Sequence, residues 1–139
     1  MENKLLQKTN HDFLIYKDGS NDIKVSVMLI NNDLWLTQDL IAELFGTARS
    51  TITEHINNIL KDGELLEETS VGISDISSGG RKPKIYNLDM IIAVGYRVNS
   101  KKATDFRIWA TKVLKEYIQK GFALNDERFI RGNKYDTKY

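Results

Sequence analysis

Between residues 36 and 65 the apolar positions fall into two helical stripes separated by a glycine. Thr37 stands where a helix N-cap is wanted, and Leu40, Ile41, Leu44 and Phe45 follow on one helical face. Gly46 ends that stripe, and Gly46-Thr47-Ala48 has the length of a tight turn between two helices. A second stripe then carries Ile52, Ile56, Ile59 and Leu60, at spacings of four, seven and eight residues from its start. Two short amphipathic helices joined by a glycine-containing turn describe a helix-turn-helix.

At about 100° per residue, the face opposite the second stripe carries Ser50, Thr51, Glu54, Asn57, Asn58 and Lys61. When such a helix, here 49–60, enters the major groove, its polar side chains meet base edges. Asn pairs with adenine, Ser and Thr bond to several bases, and Glu accepts from cytosine. Ser50, Thr51, Glu54, Asn57 and Asn58 are therefore the candidate base readers, with Arg49 and Lys61 reaching phosphate or guanine. Glu54 repels phosphate unless it accepts from cytosine or pairs with Arg49 or Lys61. The same pattern also describes an ordinary solvated face beside an αα-hairpin. His55 reads as a packing residue on the flank of this helix.

Upstream, Phe13-Leu14-Ile15-Tyr16 is a short apolar run, followed by turn formers from Lys17 to Asp22. A β-branched run then extends from Ile23 to Ile30. Two strands around a glycine-containing loop predict a β-hairpin. Asn31-Asn32-Asp33 predicts a second turn, and Leu34-Trp35-Leu36 leads into the first helix with Trp35 packed beneath it. The first twelve residues read as a flexible lead-in.

Downstream, strand-compatible residues from Thr69 to Ile76 and from Lys84 to Tyr86 flank the tip Ser77-Ser78-Gly79-Gly80-Arg81-Lys82-Pro83. A hairpin with a Gly-rich basic tip after a reading helix has the form of a wing. Over residues 77–84, Arg81, Lys82 and Lys84 would meet phosphates or the minor groove. A polar surface loop has the same composition. Asn87 then predicts a cap for a helix to about Tyr96, and Ser100 a cap for a longer helix. Phe106, Trp109, Ala110, Val113, Leu114, Tyr117 and Ile118 form the stripe of that second helix, and Gly121 is its expected end. Arg97, Lys101 and Lys102 gather at its start, where cations oppose the helix dipole, as candidate phosphate contacts or as solvated charge. The resulting expectation is an α+β fold. It is a winged helix-turn-helix spanning 13–124, with a small N-terminal β-hairpin and a C-terminal helical pair, followed by a tail or linker over 125–139.

Charge adds an asymmetry that the net value of +1 conceals. Residues 1–76 hold 6 basic and 13 acidic residues, whereas residues 77–120 hold 10 basic and 3 acidic. The second stretch offers a basic surface for phosphate, and the acidic half limits indiscriminate binding. Alternatively, the two halves neutralise each other within the fold or a dimer. With 139 residues and no cysteine, the chain reads as one globular domain without disulfides or thiolate metal sites. No apolar run is long enough for a membrane span, and the N-terminus lacks a signal-peptide core, so a cytoplasmic protein is expected.

An enzyme is the first rival class. His11 and His55 stand far apart without metal-ligand spacing, and no P-loop or dinucleotide glycine fingerprint occurs. The pattern nominates no catalytic residue, metal or cofactor, although scattered carboxylates leave a nuclease open. The second rival is a protein-interaction or dimerisation module built on the same winged helix.

Several strings carry a resemblance. Leu34-Trp35-Leu36-Thr37-Gln38, Ala42-Glu43-Leu44-Phe45-Gly46, Thr53-Glu54-His55-Ile56-Asn57-Asn58-Ile59 and Tyr86-Asn87-Leu88-Asp89-Met90-Ile91-Ile92 look like the N-terminal region of the virulence RhuM family. Val94-Gly95-Tyr96-Arg97-Val98-Asn99-Ser100, Phe106-Arg107-Ile108-Trp109-Ala110 and Lys120-Gly121-Phe122-Ala123-Leu124 continue it, so that the likeness spans about residues 13–131. Phe106-Arg107-Ile108-Trp109 also resembles, more weakly, an element of Bro-type N-terminal domains from viruses and phages. The resemblance implies a cytoplasmic protein from a bacterial mobile element or phage with a double-stranded-DNA-binding N-terminal domain. It also implies a further C-terminal region, since members are usually longer. If such a protein regulates transcription, a homodimer on a palindrome follows. The resemblance supplies no catalytic residues.

Overall fold

A computed structural model describes residues 12–18, 23–74 and 82–132, with side chains through residue 118. It is a mixed α+β fold. Strands β1 (Asp12–Lys17), β2 (Lys24–Ile30) and β3 (Asp33–Thr37) lead to helices α1 (Gln38–Phe45) and α2 (Arg49–Lys61). A single helical turn, α3 (Glu67–Ser70), precedes β4 (Val71–Ile73) and β5 (Lys84–Asn87). Helices α4 (Leu88–Val98) and α5 (Ser100–Gly132) complete the described chain. The strands form one antiparallel sheet in the order β1-β2-β3-β5-β4.

The N-terminal part is more than the hairpin that the alternation predicts. Asn31 and Asn32 both take positive φ, 52° and 65°, which makes a tight two-residue turn of the kind that fits a hairpin's twist. The turn returns the chain as β3, so Leu34-Trp35-Leu36 is a central strand rather than a lead-in. Three residues are too few to display an alternation on their own, which is why the strand is hard to read. Downstream the expected strand from Thr69 to Ile76 starts later. Residues 67–70 coil into α3, where Thr69 and Ser70 donate their backbone N–H groups to the Leu66 carbonyl, and among the described residues Val71–Ile73 pair with β5.

Register sorts the side chains onto two faces, because successive strand residues point oppositely. Leu14 lies opposite Val27, Tyr16 opposite Val25, Leu29 opposite Leu34, and Tyr86 between Leu36 and Val71. These belong to the main core, which they build with Ile41, Leu44 and Phe45 of α1, Ile52, Ile56 and Ile59 of α2, Met90, Ile91 and Val94 of α4, and Ala103, Phe106 and Ala110 of α5. On the other face Phe13 pairs with Met28 and Met28 with Trp35, while Thr37 and Gly72 flank Ile85. Met28 and Ile85 are buried there, but Phe13 and Ile15 remain half exposed.

The caps follow local chemistry with one displacement. The Thr37 hydroxyl accepts the backbone N–H of Leu40, Gly46 closes α1 at φ 66°, and the Asn87 side chain accepts the backbone N–H of Met90. At the last helix it is Asn99, not Ser100, whose side chain takes the Lys102 backbone N–H. Two adjacent residues compete for that role, and Asn99 has the extended backbone that a cap requires. Gly121 does not end α5, which runs to Gly132 and takes in residues 125–132 of the expected tail. A single helical glycine costs only about 1 kcal/mol, and Lys120, Ala123 and Leu124 around it favour helix. Residues 1–11 of the expected lead-in, 77–81 of the wing tip with Arg81 included, and 133–139 of the expected tail lie outside the described residues, whereas Asp12 at the end of the lead-in begins β1.

Candidate nucleic-acid interface

Helix α2 is divided along its length. Ile52, Ile56 and Ile59 are buried in the core, whereas Ser50, Glu54, Asn57, Asn58 and Lys61 are exposed and Thr51 is half-buried. The apolar stripe thus turns Ser50, Glu54, Asn57 and Asn58 away from the core, with Thr51 at its edge. His55 sits half-buried on the flank, and its buried Nδ1 has no hydrogen-bond partner among the described residues.

A chain of polar contacts sets the start of α2 relative to the sheet. The Tyr86 hydroxyl donates to Gln38 Oε1 at 3.4 Å, the Gln38 amide donates to Thr53 Oγ1, and Thr53 Oγ1 donates to the Arg49 carbonyl at 3.0 Å. Burial pushes the Tyr86 phenol above its ordinary pKa, opposed by nearby Arg49 and assisted by Glu67, so it stays protonated and able to donate. Neither Gln38 nor Tyr86 stands out in the sequence, since the pairs they complete lie 15 and 48 residues apart. Gln38→Ala is expected to lower unfolding free energy by about 1 kcal/mol and to speed amide exchange in the first turn of α2. Unchanged exchange there would mean that the chain of contacts does not hold the helix.

The candidate cations separate into two groups. Arg49, Lys82 and Lys84 line one groove of about 800 Å³, together with Phe13, Met28 and Asp39. Arg49 Nε also meets Asp39 Oδ1 at 2.9 Å, both side chains being largely exposed. That pairing occupies one of the two partners expected for Glu54, which forms no ion pair among the described residues. Arg97, Lys101 and Lys102 lie apart from the groove near the α4–α5 junction, and each faces a carboxylate. Arg97 meets Glu64 at 2.9 Å, Lys101 meets Asp105 at 3.3 Å, and Lys102 meets the mostly buried Asp18 at 3.3 Å. The exposed pairs of Arg97 and Lys101 contribute little to stability, but all three pairs spend charge that the sequence pattern left available for phosphate.

No group of three or more His, Asp or Glu side chains among the described residues is arranged to hold a metal ion. None of the described helices is long and apolar enough to cross a membrane.

The profile of the Virulence protein RhuM family matches residues 68–139, more than half of the chain. The chain belongs to the Virulence protein RhuM family. The matched stretch includes β4, β5, α4 and α5, with the Phe106-Arg107-Ile108-Trp109 block. It does not reach the blocks between residues 34 and 59 that resemble the same family, and so leaves α1 and α2 outside. The two parts nevertheless share one sheet, because β3 from the unmatched part pairs with β5 from the matched part. Neither a curated protein nor a solved structure matches the chain.

Proposed function

We propose that this RhuM-family chain is a winged-helix protein that reads double-stranded DNA, with α2 in the major groove and the β4–β5 hairpin as its wing. The observation that carries the reading is the division of α2, whose buried isoleucines leave Ser50, Glu54, Asn57 and Asn58 presented together. Side chains of these types match the donor and acceptor patterns of base edges. The groove shared by Arg49 at the head of α2 and by Lys82 and Lys84 on the hairpin leg supports a common phosphate-facing surface. Lys61 extends it at the other end of the helix, and Arg81 would add to it at the tip. On this reading the protein is a sequence-specific regulator of the transcriptional type, and two copies would engage half-sites about one helical turn apart.

Fluorescence anisotropy with random-sequence and native-locus duplexes, from about 50 to 200 mM salt, tests the proposal. Binding should fall steeply with salt, and Lys82→Ala/Lys84→Ala should weaken all sequences alike while reducing the salt slope by about 2. Asn57→Ala should instead lose about 1–3 kcal/mol of discrimination at one base position. Glu54→Ala should relax a single position with little change in general affinity. A uniform gain across all sequences would mean that Glu54 only repels phosphate.

Absence of binding at every salt concentration would favour a protein-interaction module. The observation on its side is the exposed apolar set Ile108, Tyr117 and Ile118 on α5.

A further inference from the structure

The groove beside the head of α2 differs from a simple phosphate track, because it joins an apolar floor to a cationic rim. Phe13 and Met28 pair across β1 and β2 on the sheet face away from the main core, and both line the groove. Met28 is buried, but Phe13, on the edge strand, keeps 49 % of its surface exposed. Around this floor stand Lys82 and Lys84 from the hairpin leg and Arg49 and Asp39 from the helices. The Asp39 carboxylate is matched by Arg49 at 2.9 Å, so the two lysines provide the groove's excess charge. Neither lysine forms an ion pair among the described residues.

We infer that this groove binds a nucleotide, with the base against Phe13 and Met28 and the phosphate at Lys82 and Lys84. Three features restrict the occupant. The volume of about 800 Å³ is that of a small-molecule site and exceeds what an inorganic anion fills. The excess positive charge selects an anion, and the half-exposed aromatic ring selects a flat apolar body attached to it. A base joined to a phosphate satisfies both, since stacking on an aromatic side chain stabilises it independently of its sequence identity. Thr37 and Gln38 also line the groove. The same chemistry arrives either as a free nucleotide or as an unpaired nucleotide in a single strand. Arg49, Lys82 and Lys84 are shared with the duplex reading, but the inference does not rest on it.

Isothermal titration of the full chain with dAMP, deoxyadenosine and inorganic phosphate, without duplex, tests the site. Saturable dAMP binding is expected, with deoxyadenosine and phosphate each weaker by at least about tenfold. Phe13→Ala and Lys84→Ala should each weaken dAMP by about tenfold with unaltered thermal unfolding, and Asn57→Ala should leave it unchanged. Lys84→Ala keeps the test decisive if Phe13→Ala folds poorly, because Lys84 is exposed. A hexamer of dA that binds more tightly than dAMP and loses affinity in the same variants identifies a single strand as the source. A hexamer no tighter than dAMP identifies the free nucleotide. Phosphate binding as tight as dAMP, dAMP binding insensitive to Phe13→Ala, or no binding at all would overturn the inference. Failure of duplex binding in the anisotropy experiment would leave it standing, since Asn57 and Glu54 do not line the groove.

Discussion

Phe106→Ala is expected to lower unfolding free energy by about 3–5 kcal/mol, the largest effect of any single truncation considered. Phe106 has no exposed surface, and its ring meets Tyr16 edge-on at a centroid distance of 5.0 Å and Trp109 at 5.5 Å. Tyr16 in turn meets Trp109 at 5.0 Å, so three rings tie the edge strand β1 to α5. Truncation removes transfer free energy and leaves a cavity that neighbouring rings, held by two different elements, cannot readily fill. A domain of this size has about 5–15 kcal/mol in total, so the variant loses about a fifth or more of its stability. Urea unfolding followed by far-ultraviolet circular dichroism measures the loss, and Trp109 fluorescence should report the changed packing. A loss under about 1 kcal/mol would mean that β1 does not depend on this aromatic contact.

The second large effect runs against local propensity. Gly95 lies inside α4, where alanine would ordinarily stabilise a helix by about 1 kcal/mol. The space for a methyl group is already taken. A Cβ at this position would overlap the Phe45 ring and come within 2.8 Å of Ala103 Cβ. The glycine is therefore the point where α4 lets α1 and α5 approach, and Phe45 and Ala103 are themselves buried. Overpacking of this kind costs about 1–3 kcal/mol, so Gly95→Ala should destabilise by up to about 2 kcal/mol net despite the better helix propensity. Chemical denaturation of the same variant decides the sign. A gain in stability would show that the three helices separate easily and that helix propensity governs the position.

The helices were largely legible because the signals that specify them act over a few residues. Ile52, Ile56 and Ile59 mark their own inward face, Thr37 and Asn87 sit beside the backbone groups that they cap, and Gly46 supplies the positive φ of the turn. The weaker readings also have local causes. Asn99 and Ser100 are both good caps, and composition alone does not rank them. Gly121 is a frequent helix terminator, yet one unfavourable residue is outweighed when its neighbours favour the helix. At the candidate interface the exposed face of α2 was legible from periodicity, whereas the use of the cations was not. Whether a lysine or arginine is available for phosphate depends on which carboxylate the fold brings to it. Asp18 reaches Lys102 across 84 residues, and Glu64 reaches Arg97 across 33.

By itself, the sequence determined the two helical stripes, the turn between them, the Thr37 and Gly46 caps of α1 and the polar face of α2. Each follows from hydrogen bonds and burial with a period of 3.6 or 2 residues, satisfied close to where it is encoded. Only the tertiary structure decided that Leu34-Trp35-Leu36 joins a five-stranded sheet, with Trp35 opposite Asn87. It alone decided that Gly95 leaves no room for a methyl group, that Tyr86 and Gln38 position α2, and that Phe13 shares a groove with Arg49, Lys82 and Lys84. These relations join residues far apart in the chain. Their free energy comes from close packing and from pairing of buried polar groups, which depend on shape in three dimensions and leave no periodic trace along the sequence.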